Sequence, residues 1–267
     1  MELGMRGRVA LVTGGSKGIG CAIAQALAVE GVAVVVVARG GAAVDETCAK
    51  VRAAGGEALG VVADVTVATE AVKAVDAALE RYGRLDILVN NAGGIAKFGA
   101  LTELSSEDWT DAFRLNVLGC VNFVVAAESA LLRSPAARII TVSSISGMQP
   151  GFYNPHYTTT KAATINLSKH LANVYADKGI LANAVCPGPV HSDAWMQNVA
   201  QLADKTGVDV EAAYRTMEQL ESRKIPLGRV GEGADVADLV VFLASDKARW
   251  ITGACFHVSG GKYAAMG

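Results

Sequence analysis

The amino-acid sequence predicts an α/β fold: one doubly wound parallel sheet of about seven strands with helices on both faces. Strand-like and helix-like segments alternate along the 267 residues. The run Val32–Ala38 is β-branched and shows no polar alternation, which is typical of a strand buried on both faces. A glycine-rich turn joins the first predicted strand to the first predicted helix.

The predicted elements follow each other in a regular order. The predicted strands are 9–12, 32–38, 58–63, 85–90, 138–143, 180–186 and 254–258. The predicted helices begin at 21 and then cover 42–54, 67–82, 105–133, 155–178 and 233–245. Residues 191–224 are polar and helix-prone. Because no linker-like composition interrupts this order, we expect one domain over residues 1–267.

Composition excludes several classes of protein. With 51% apolar and 19% charged residues and a net charge of −2, nothing points to a nucleic-acid partner. The five cysteines are odd in number, widely spread and without a C-x-x-C pair, so we expect free thiols in a reducing compartment. No signal-peptide pattern is visible, and the longest aliphatic run, Val32–Ala38, is too short for a bilayer. A cytoplasmic protein without a membrane partner is expected.

The stretch Arg8–Gly20, RVALVTGGSKGIG, predicts an anion site. The first turn of a helix has backbone N–H groups without intrahelical acceptors, and the helix dipole adds positive charge there. Gly14, Gly18 and Gly20 allow a tight turn and a close approach to a pyrophosphate. The alternative for a lone glycine pattern is an ordinary loop.

Tyr157 and Lys161 are four residues apart in a predicted helix, so both project from the same face. A phenol ionises only at about pH 10, and a neighbouring ammonium stabilises the phenolate. Such a pair can exchange a proton with an alcohol or a carbonyl. The alternative is a partly exposed tyrosine beside a solvated lysine.

Three further polar residues are candidates. Ser143 and Ser144 end the fifth predicted strand, where either hydroxyl could bind a substrate oxygen or simply cap a loop. Asn116 lies within an apolar helical stripe, where a buried amide needs partners: it could hold a backbone carbonyl or a structural water, and the alternative is an asparagine that kinks the helix or only packs in it. The four histidines lack metal-ligand spacing, so no metal site is expected.

Together these residues resemble the short-chain dehydrogenase/reductase family, in its shorter single-domain branch, over nearly the whole chain. Residues 13–20, T-G-x-x-x-G-x-G, are similar to the family's cofactor motif, and residues 90–93 to its N-N-A-G. Residues 187–192 are similar to its P-G-x-V-x-T segment beside the nicotinamide, with Ser in place of Thr. The resemblance implies a Rossmann fold over 1–267, with a variable substrate loop at 191–224.

The set Asn116, Ser144, Tyr157 and Lys161 resembles the family's catalytic tetrad. Ser144 is preferred to Ser143 because it lies thirteen residues before Tyr157, the usual interval in this branch. The resemblance implies that Tyr157 is the general acid in reduction and the general base in oxidation. Lys161 would support its phenolate and bind the nicotinamide ribose, Ser144 would hold the substrate oxygen, and Asn116 would keep a water in a proton relay. The hydride belongs to the cofactor.

The resemblance also implies which residues contact the cofactor. They are Gly14, Ser16, Lys17, Gly18, Ile19, Gly20, Arg39, Asp64, Val65, Asn90, Ala92, Gly93, Tyr157, Lys161, Pro187, Gly188, Val190 and Ser192. In NAD-using members an acidic residue at the end of the second strand holds the ribose 2′-hydroxyl, whereas this chain has Ala38 followed by Arg39. Arg39 and a nearby Lys17 suit a 2′-phosphate. NADP(H) is therefore the predicted cofactor, and NAD(H) is the alternative.

The resemblance implies interconversion of a ketone and a secondary alcohol, with 3-oxoacyl carrier-protein reduction as one candidate and sugar, steroid or other ketone reduction as others. An NAD-dependent catabolic dehydrogenase and a non-catalytic dinucleotide-binding regulator are the alternatives. The residues predicted to contact a small-molecule substrate are Gly94, Ser146, Gln149, Tyr153, Trp195 and Met196. A homotetramer, or a dimer, is expected through the helices bearing Asn116 and Tyr157 and through the C-terminal segment 253–261.

Overall fold

A computed structural model of the chain describes residues 2–264. In this part of the chain seven parallel strands form one sheet in the order β3-β2-β1-β4-β5-β6-β7. The strands are β1 Val9–Thr13, β2 Ala33–Ala38, β3 Ala58–Val62, β4 Ile87–Asn90, β5 Arg138–Val142, β6 Leu181–Pro187 and β7 Cys255–Val258. The order reverses between β1 and β4, so the carboxyl ends of these two strands flank the crevice in which such sheets bind ligands.

Residues 2–264 contain nine α-helices. They are α1 Gly18–Val29, α2 Gly41–Ala53, α3 Ala68–Tyr82, α4 Ser106–Phe113, α5 Gly119–Arg133, α6 Pro155–Tyr175, α7 Asp193–Thr206, α8 Val210–Ser222 and α9 Gly233–Ala244. Of these, α1, α2 and α9 pack on one face of the sheet and α3, α5 and α6 on the other. The predicted doubly wound α/β fold is confirmed.

Two apolar cores explain why the strands are uniformly hydrophobic. Successive residues of β2 point to opposite faces: Val34 and Val36 join a core with α1, α2 and α9, and Val35 and Val37 join a core with α3, α5 and α6. All four side chains are fully buried. Burial of a valine side chain contributes about 1.5–3 kcal/mol, so a polar residue here would be costly.

The predicted helix at 105–133 is wrong in one respect, because it is interrupted. Residues Arg114–Leu118 form a π-helical turn between α4 and α5, in which the Gly119 N–H donates to the Arg114 carbonyl. A Cβ at Gly119 would lie 2.9 Å from Val65 Cγ2, so the missing side chain lets the helix approach the loop after β3. Such turns are common at functional sites.

Helical stretch 106–133 is long and apolar enough to cross a membrane by length and composition alone. Half of its most apolar window is buried in the protein. Phe123, Ala127 and Leu131 of this stretch belong to the core that also contains α3 and β4. The apolar composition therefore reflects a core helix packed on the sheet.

Residues 191–224 form a separate helical layer. Helices α7 and α8 pack on each other around a small core of Trp195, Val199, Ala213 and Ile225. This layer follows β6 directly, so it lies at the carboxyl edge of the sheet.

Candidate active site

The glycine turn joins β1 to α1 as the sequence predicts. Gly14 and Gly18 have φ values of +62° and +49°, which favour glycine, and a Cβ at Gly14 would lie 2.9 Å from Ala92 Cα. Helix α1 begins without a side-chain cap and without an acidic residue in its first turn. Its first N–H groups are therefore available to an anion, and the turn fits a dinucleotide pyrophosphate.

Two residues outside the predicted site list hold this turn in place. The Thr13 hydroxyl accepts hydrogen bonds from the N–H groups of Asn91 (3.0 Å) and Ala92 (3.1 Å). The Asn91 amide donates to the carbonyls of Thr13 (3.0 Å) and Gly14 (3.2 Å). Both lie within the motifs, but only the structure shows that each binds the other's loop.

Asn90 ends β4 beside this crevice with an unsatisfied side chain. It is 2% exposed, and neither amide atom has a partner among the described residues. An unpartnered buried amide costs about 1–3 kcal/mol. A polar ligand in the crevice is one way to satisfy it, so this orphan is consistent with a bound cofactor.

At the predicted adenosine end, Arg39 is exposed after β2. The Asp64 carboxylate accepts from the N–H and the hydroxyl of Thr66, at 2.9 and 2.8 Å. Burial favours the protonated acid, but these hydrogen bonds and the charge of Arg39 outweigh it and hold the pKa of Asp64 below its usual value. The buried Val65 has its carbonyl held by Asn122 Nδ2, at 2.9 Å.

Lys17 has a partner that the sequence did not indicate. Its Nζ lies 3.7 Å from Asp193 Oδ2, at the start of α7. Both side chains are more than half exposed, so water screens the attraction and leaves Lys17 free to turn to another anion.

Residues 187–192 connect β6 to α7 along the other side of the crevice. Gly188 packs so closely on β7 that a Cβ would lie 2.9 Å from Ser259 Cα. Val190 is buried and pairs with Gly231. The Ser192 hydroxyl caps α7 by accepting from the Trp195 N–H, and a Cβ at Gly18 would come within 3.2 Å of Ser192 Cβ. The glycine turn and this segment thus face each other.

Helix α6 presents Tyr157 and Lys161 on one face, as the spacing predicts. Lys161 is 5% exposed, and its Nζ donates to the Val142 carbonyl at 3.1 Å. The same nitrogen lies 5.7 Å from the centre of the Tyr157 ring. The buried ammonium is therefore fixed beside the phenol ring.

Asn116 fixes the loop that follows β4. Its Nδ2 donates to the carbonyls of Gly94 (2.8 Å) and Ala112 (2.9 Å), and its Oδ1 accepts from the Gly94 N–H (2.9 Å). A Cβ at Gly93 would lie 2.7 Å from Asn116 Oδ1 and 3.1 Å from Lys161 Nζ. Since both amide hydrogens are used, only oxygen lone pairs of Asn116 remain for a water.

Beside the π-helical turn, the Cys120 thiol donates to the Asn116 backbone carbonyl at 3.1 Å. Burial raises the pKa of Cys120 to about 11, which keeps the thiol protonated as a donor. The interruption of this helix was not predicted from sequence, because helical periodicity does not reveal a single wide turn.

The two serines after β5 differ in their surroundings. Ser143 is buried, donates to the Lys161 carbonyl at 2.9 Å and shares a hydrogen bond with Thr164. Ser144 is partly open, and its Oγ accepts from the Ser146 N–H at 3.1 Å. The Ser144 hydroxyl hydrogen therefore remains available to a ligand oxygen.

The residues predicted to contact substrate are only partly brought together. Gly94 and Ser146 lie beside Asn116 and Ser144, respectively, whereas Tyr153 is 61% exposed. Trp195 is 5% exposed and lies in the core between α7 and α8, so its side chain packs between these helices and is not open to a substrate. Met196 is 45% exposed. Gln149 binds the C-terminal segment: its Oε1 accepts from the Ala264 N–H at 2.9 Å.

The histidines and cysteines do not form a metal site in the described chain. Among residues 2–264 there is no group of three or more His, Cys, Asp or Glu side chains placed to hold a metal ion. All five cysteines are free thiols. The buried His156 bonds the Lys97 carbonyl at 3.1 Å, and His191 lies between two carboxylates.

Known proteins share this fold and much of this sequence. The family model described as short chain dehydrogenase matches residues 8–203. A 3-oxoacyl-(acyl-carrier-protein) reductase of Staphylococcus aureus is 36% identical over 255 residues, which is 95% of this chain and 97% of that protein. An uncharacterized oxidoreductase of Methylorubrum extorquens is 40% identical over 258 residues, 96% of this chain and 98% of that protein.

Two solved structures extend the comparison. L-sorbose reductase from Gluconobacter frateurii, complexed with NADPH and L-sorbose, is 30% identical with a TM-score of 0.93 and covers 100% of both chains. A variant actinorhodin polyketide ketoreductase with NADPH is 34% identical, with a TM-score of 0.90 and coverage of 97% of this chain and 98% of that chain.

The chain belongs to the short-chain dehydrogenase/reductase family. Within that family it is an NAD(P)-dependent oxidoreductase that acts on CH–OH or carbonyl groups.

Proposed function

We propose that this protein is an NADPH-dependent reductase that converts a ketone into a secondary alcohol, with Tyr157 as proton donor. The observation that carries this proposal is the buried Lys161 ammonium, 5.7 Å from the Tyr157 ring and locked by the Val142 carbonyl. It stabilises the phenolate that remains after Tyr157 gives its proton to the developing alkoxide. The bound cofactor supplies the hydride.

Ser144 completes the reaction site in this proposal. Its free hydroxyl hydrogen bonds the carbonyl oxygen and stabilises the charge that develops there. Asn116 acts mainly as a positioning residue, because its side chain holds the Gly94 loop beside Lys161. A proton relay through a water would then use an oxygen of Asn116 as acceptor.

The predicted cofactor contacts remain a proposal, and the glycine turn with the free N–H groups of α1 supports them. The preference for NADP(H) rests on two cationic side chains, Arg39 and Lys17. It also rests on Ala38, which stands at the end of β2 where NAD-using members have an acidic residue. Solved NADPH complexes of two relatives, L-sorbose reductase and the polyketide ketoreductase, support the same preference.

The cofactor preference is tested by dissociation constants. We expect NADPH to bind at least about tenfold more tightly than NADH, because a 2′-phosphate gains charge-assisted hydrogen bonds. Arg39→Ala should remove most of this difference, whereas Arg81→Ala, on the outer part of α3, should leave it unchanged. Tighter binding of NADH by the unmodified enzyme would overturn the preference.

The substrate class is tested by a panel of 3-oxoacyl thioesters, ketose sugars, steroid ketones and simple ketones. Consumption of NADPH is followed by absorbance for each. The relatives include a 3-oxoacyl-(acyl-carrier-protein) reductase and an L-sorbose reductase, so 3-oxoacyl thioesters and ketose sugars are tried first. Failure of every carbonyl compound, with NADPH bound, would contradict the proposed reductase.

We further propose that residues 1–267 form one domain whose segment 191–224 covers the substrate.

We also propose that the enzyme is a homotetramer or a dimer. One outer helix face carries an exposed apolar row of three residues spaced seven apart: Leu118, Val125 and Leu132, which are 44%, 69% and 43% exposed. Apolar rows of this kind mark interfaces. Val125→Asp should lower the mass measured by light scattering; an unchanged monomeric mass for both forms would contradict the assembly. The cytoplasmic location stays a prediction.

A further inference from the structure

The C-terminal segment 259–264 runs from the segment after β6 to the loop after β5. It begins at Ser259, which lies against Gly188 in the segment that follows β6. The Gly260 carbonyl then accepts from the Leu227 N–H at 3.1 Å, just beyond α8. The segment therefore leaves β7 beside residues 187–192 and crosses the end of the α7–α8 layer.

The same segment ends at the loop that carries Ser144. The Ala264 N–H donates to Gln149 Oε1 at 2.9 Å, and the Gln149 N–H donates to the Ile145 carbonyl at 2.8 Å. Ile145 directly follows Ser144. One short piece of chain thus connects three parts of the site, which are the segment after β6, the α7–α8 layer and the loop after β5.

An ion pair fixes this segment to α8. The Lys262 ammonium contacts the Glu221 carboxylate, and the two side chains are only 21% and 20% exposed. Lys224 pairs with the same carboxylate at 2.8 Å, but its side chain is 60% exposed and lies within one turn of Glu221. Partial burial strengthens the first pair relative to a surface pair.

The Glu221 carboxylate is charged and can therefore form this ion pair with Lys262. Burial alone would raise the pKa of Glu221, but hydrogen bonds from Lys224 and Lys262 hold the pKa below its ordinary value. Glu221 is therefore charged at neutral pH, and loss of Lys262 leaves a partly buried carboxylate with a single, solvent-exposed partner.

We infer that Lys262 is a positioning residue for substrate specificity: its ion pair with Glu221 holds α8 and the C-terminal segment together as one wall of the carbonyl-binding site. The inference rests on the proposed reductase function for its kinetic consequence. Through this wall, Lys262 sets how tightly the carbonyl substrate is held, without touching the reacting atoms. Sequence reasoning assigned the end of the chain to assembly alone and missed this contact.

Lys262→Met and Lys224→Met form a matched pair, because both remove an ammonium from Glu221 and only the first disconnects the segment. With a ketone that the enzyme reduces, Lys262→Met should raise KM about fivefold and change kcat less than about twofold, as expected for lost binding that is uniform in ground and transition states. The Kd of NADPH should not change. Lys224→Met should leave KM within about twofold of the unmodified enzyme.

A double variant tests whether the pair acts as a unit. In a Glu221→Gln background, Lys262→Met should add little to KM, since the partner charge is already gone. Equal KM effects of Lys262→Met and Lys224→Met, or additive effects of Glu221→Gln and Lys262→Met, would overturn the inference.

Hydrogen exchange gives a readout that needs no turnover. On the full chain, Lys262→Met should increase exchange in 210–222 and 259–264 and leave the sheet protected, whereas Lys224→Met should not. Unchanged exchange of α8 in Lys262→Met overturns the inference whatever the substrate. Absence of carbonyl reduction by the unmodified enzyme overturns the proposed function instead, and the exchange result still decides whether the wall exists.

Discussion

At the scale of single residues, neighbouring side chains at the site differ in their hydrogen bonding: some bond only to the protein, and others keep a polar group available to a ligand. Ser143 uses its hydroxyl on Lys161 and Thr164, whereas the adjacent Ser144 keeps its hydrogen for a ligand. In the same way, the Asn116 amide donates both its hydrogens to backbone carbonyls, whereas the Tyr157 side chain is partly exposed. The difference lies in burial and partners, which adjacent identical residue types do not disclose in a sequence.

The two serines give a direct prediction. Ser144→Ala should lower kcat by about 10²-fold or more, because the developing oxyanion loses a donor, and should leave stability almost unchanged. Ser143→Ala should instead cost about 1–2 kcal/mol of unfolding free energy, because the buried Thr164 hydroxyl loses a partner, with a smaller effect on kcat. Kinetics and urea unfolding of both variants measure this. A large loss of kcat in Ser143→Ala together with a loss of stability in Ser144→Ala would contradict this assignment of the two serines.

At the scale of elements, His191 ties the α7–α8 layer to the body of the protein. Its two ring nitrogens lie 2.7 Å from oxygens of Glu218, in α8, and Glu232, just before α9. A neutral imidazole has one N–H, so only the protonated ring donates to both carboxylates. The rings of Tyr214 and Trp195 pack against it at 6.0 and 5.5 Å.

This arrangement predicts a pH-dependent attachment of the layer. Burial alone would lower the pKa of His191, but the hydrogen bonds that its ring donates to Glu218 and Glu232 outweigh it and raise the pKa above its ordinary value. The stabilisation is therefore fully present below about pH 6.5 and is lost as pH rises through the raised pKa. Hydrogen exchange of 193–222, corrected for its intrinsic pH dependence, should increase over that interval.

His191→Gln is the control for this pH dependence. The amide can bond one carboxylate but does not titrate, so exchange of 193–222 should be pH-independent in this variant. A pH dependence that persists in His191→Gln would show that another group controls the layer.

Much at the element scale is accessible from sequence, and the exceptions have physical causes. The apolar run of β2 and the Ser105 cap of α4 fix where these two elements lie. The interrupted helix at Arg114–Leu118 was not predicted, because its side chains keep the periodicity of an ordinary helix. Lys262 was not connected with Glu221 because forty-one residues separate them in the chain, and only the tertiary fold brings them together.

At the scale of the whole molecule, Asp86 joins several elements at the edge of the sheet opposite the site. The carboxylate is fully buried, accepts from the Val9 N–H at 2.9 Å and from Arg84 at 2.8 Å, and also receives the Ser134 hydroxyl. Burial disfavours its charge, but hydrogen bonds from Arg84, Ser134 and Val9 outweigh this and lower the pKa of Asp86.

Asp86→Ala should reduce the free energy of unfolding by about 3 kcal/mol, because a buried N–H and two side chains lose their acceptor. Arg84→Met should cost about 1 kcal/mol, since Arg84 is 45% exposed and the other donors remain. Urea unfolding measures both. Equal losses would mean that the ion pair, and not the buried hydrogen bonds, gives Asp86 its stabilising effect.

The global topology could also be predicted, since alternating strands and helices with a glycine turn after β1 restrict the sheet to few arrangements. The packing of residues 191–224 could not be predicted. Trp195 follows residues 187–192 in sequence, but its side chain lies in the core of the α7–α8 layer. Residues 191–224 have helical composition and no motif, so their packing depends on contacts with Glu232 and the C-terminal segment that no local pattern encodes.

We propose that this chain reduces a carbonyl with a proton from Tyr157 beside Lys161. The most direct measurement compares NADPH consumption by the unmodified enzyme and by Tyr157→Phe with the best carbonyl of the panel. We predict that Tyr157→Phe lowers kcat by about 10³-fold, because the ring remains and only the proton donor is lost, while the Kd of NADPH changes by less than about twofold. Turnover at the unmodified rate by Tyr157→Phe, with NADPH bound normally, would contradict the claim.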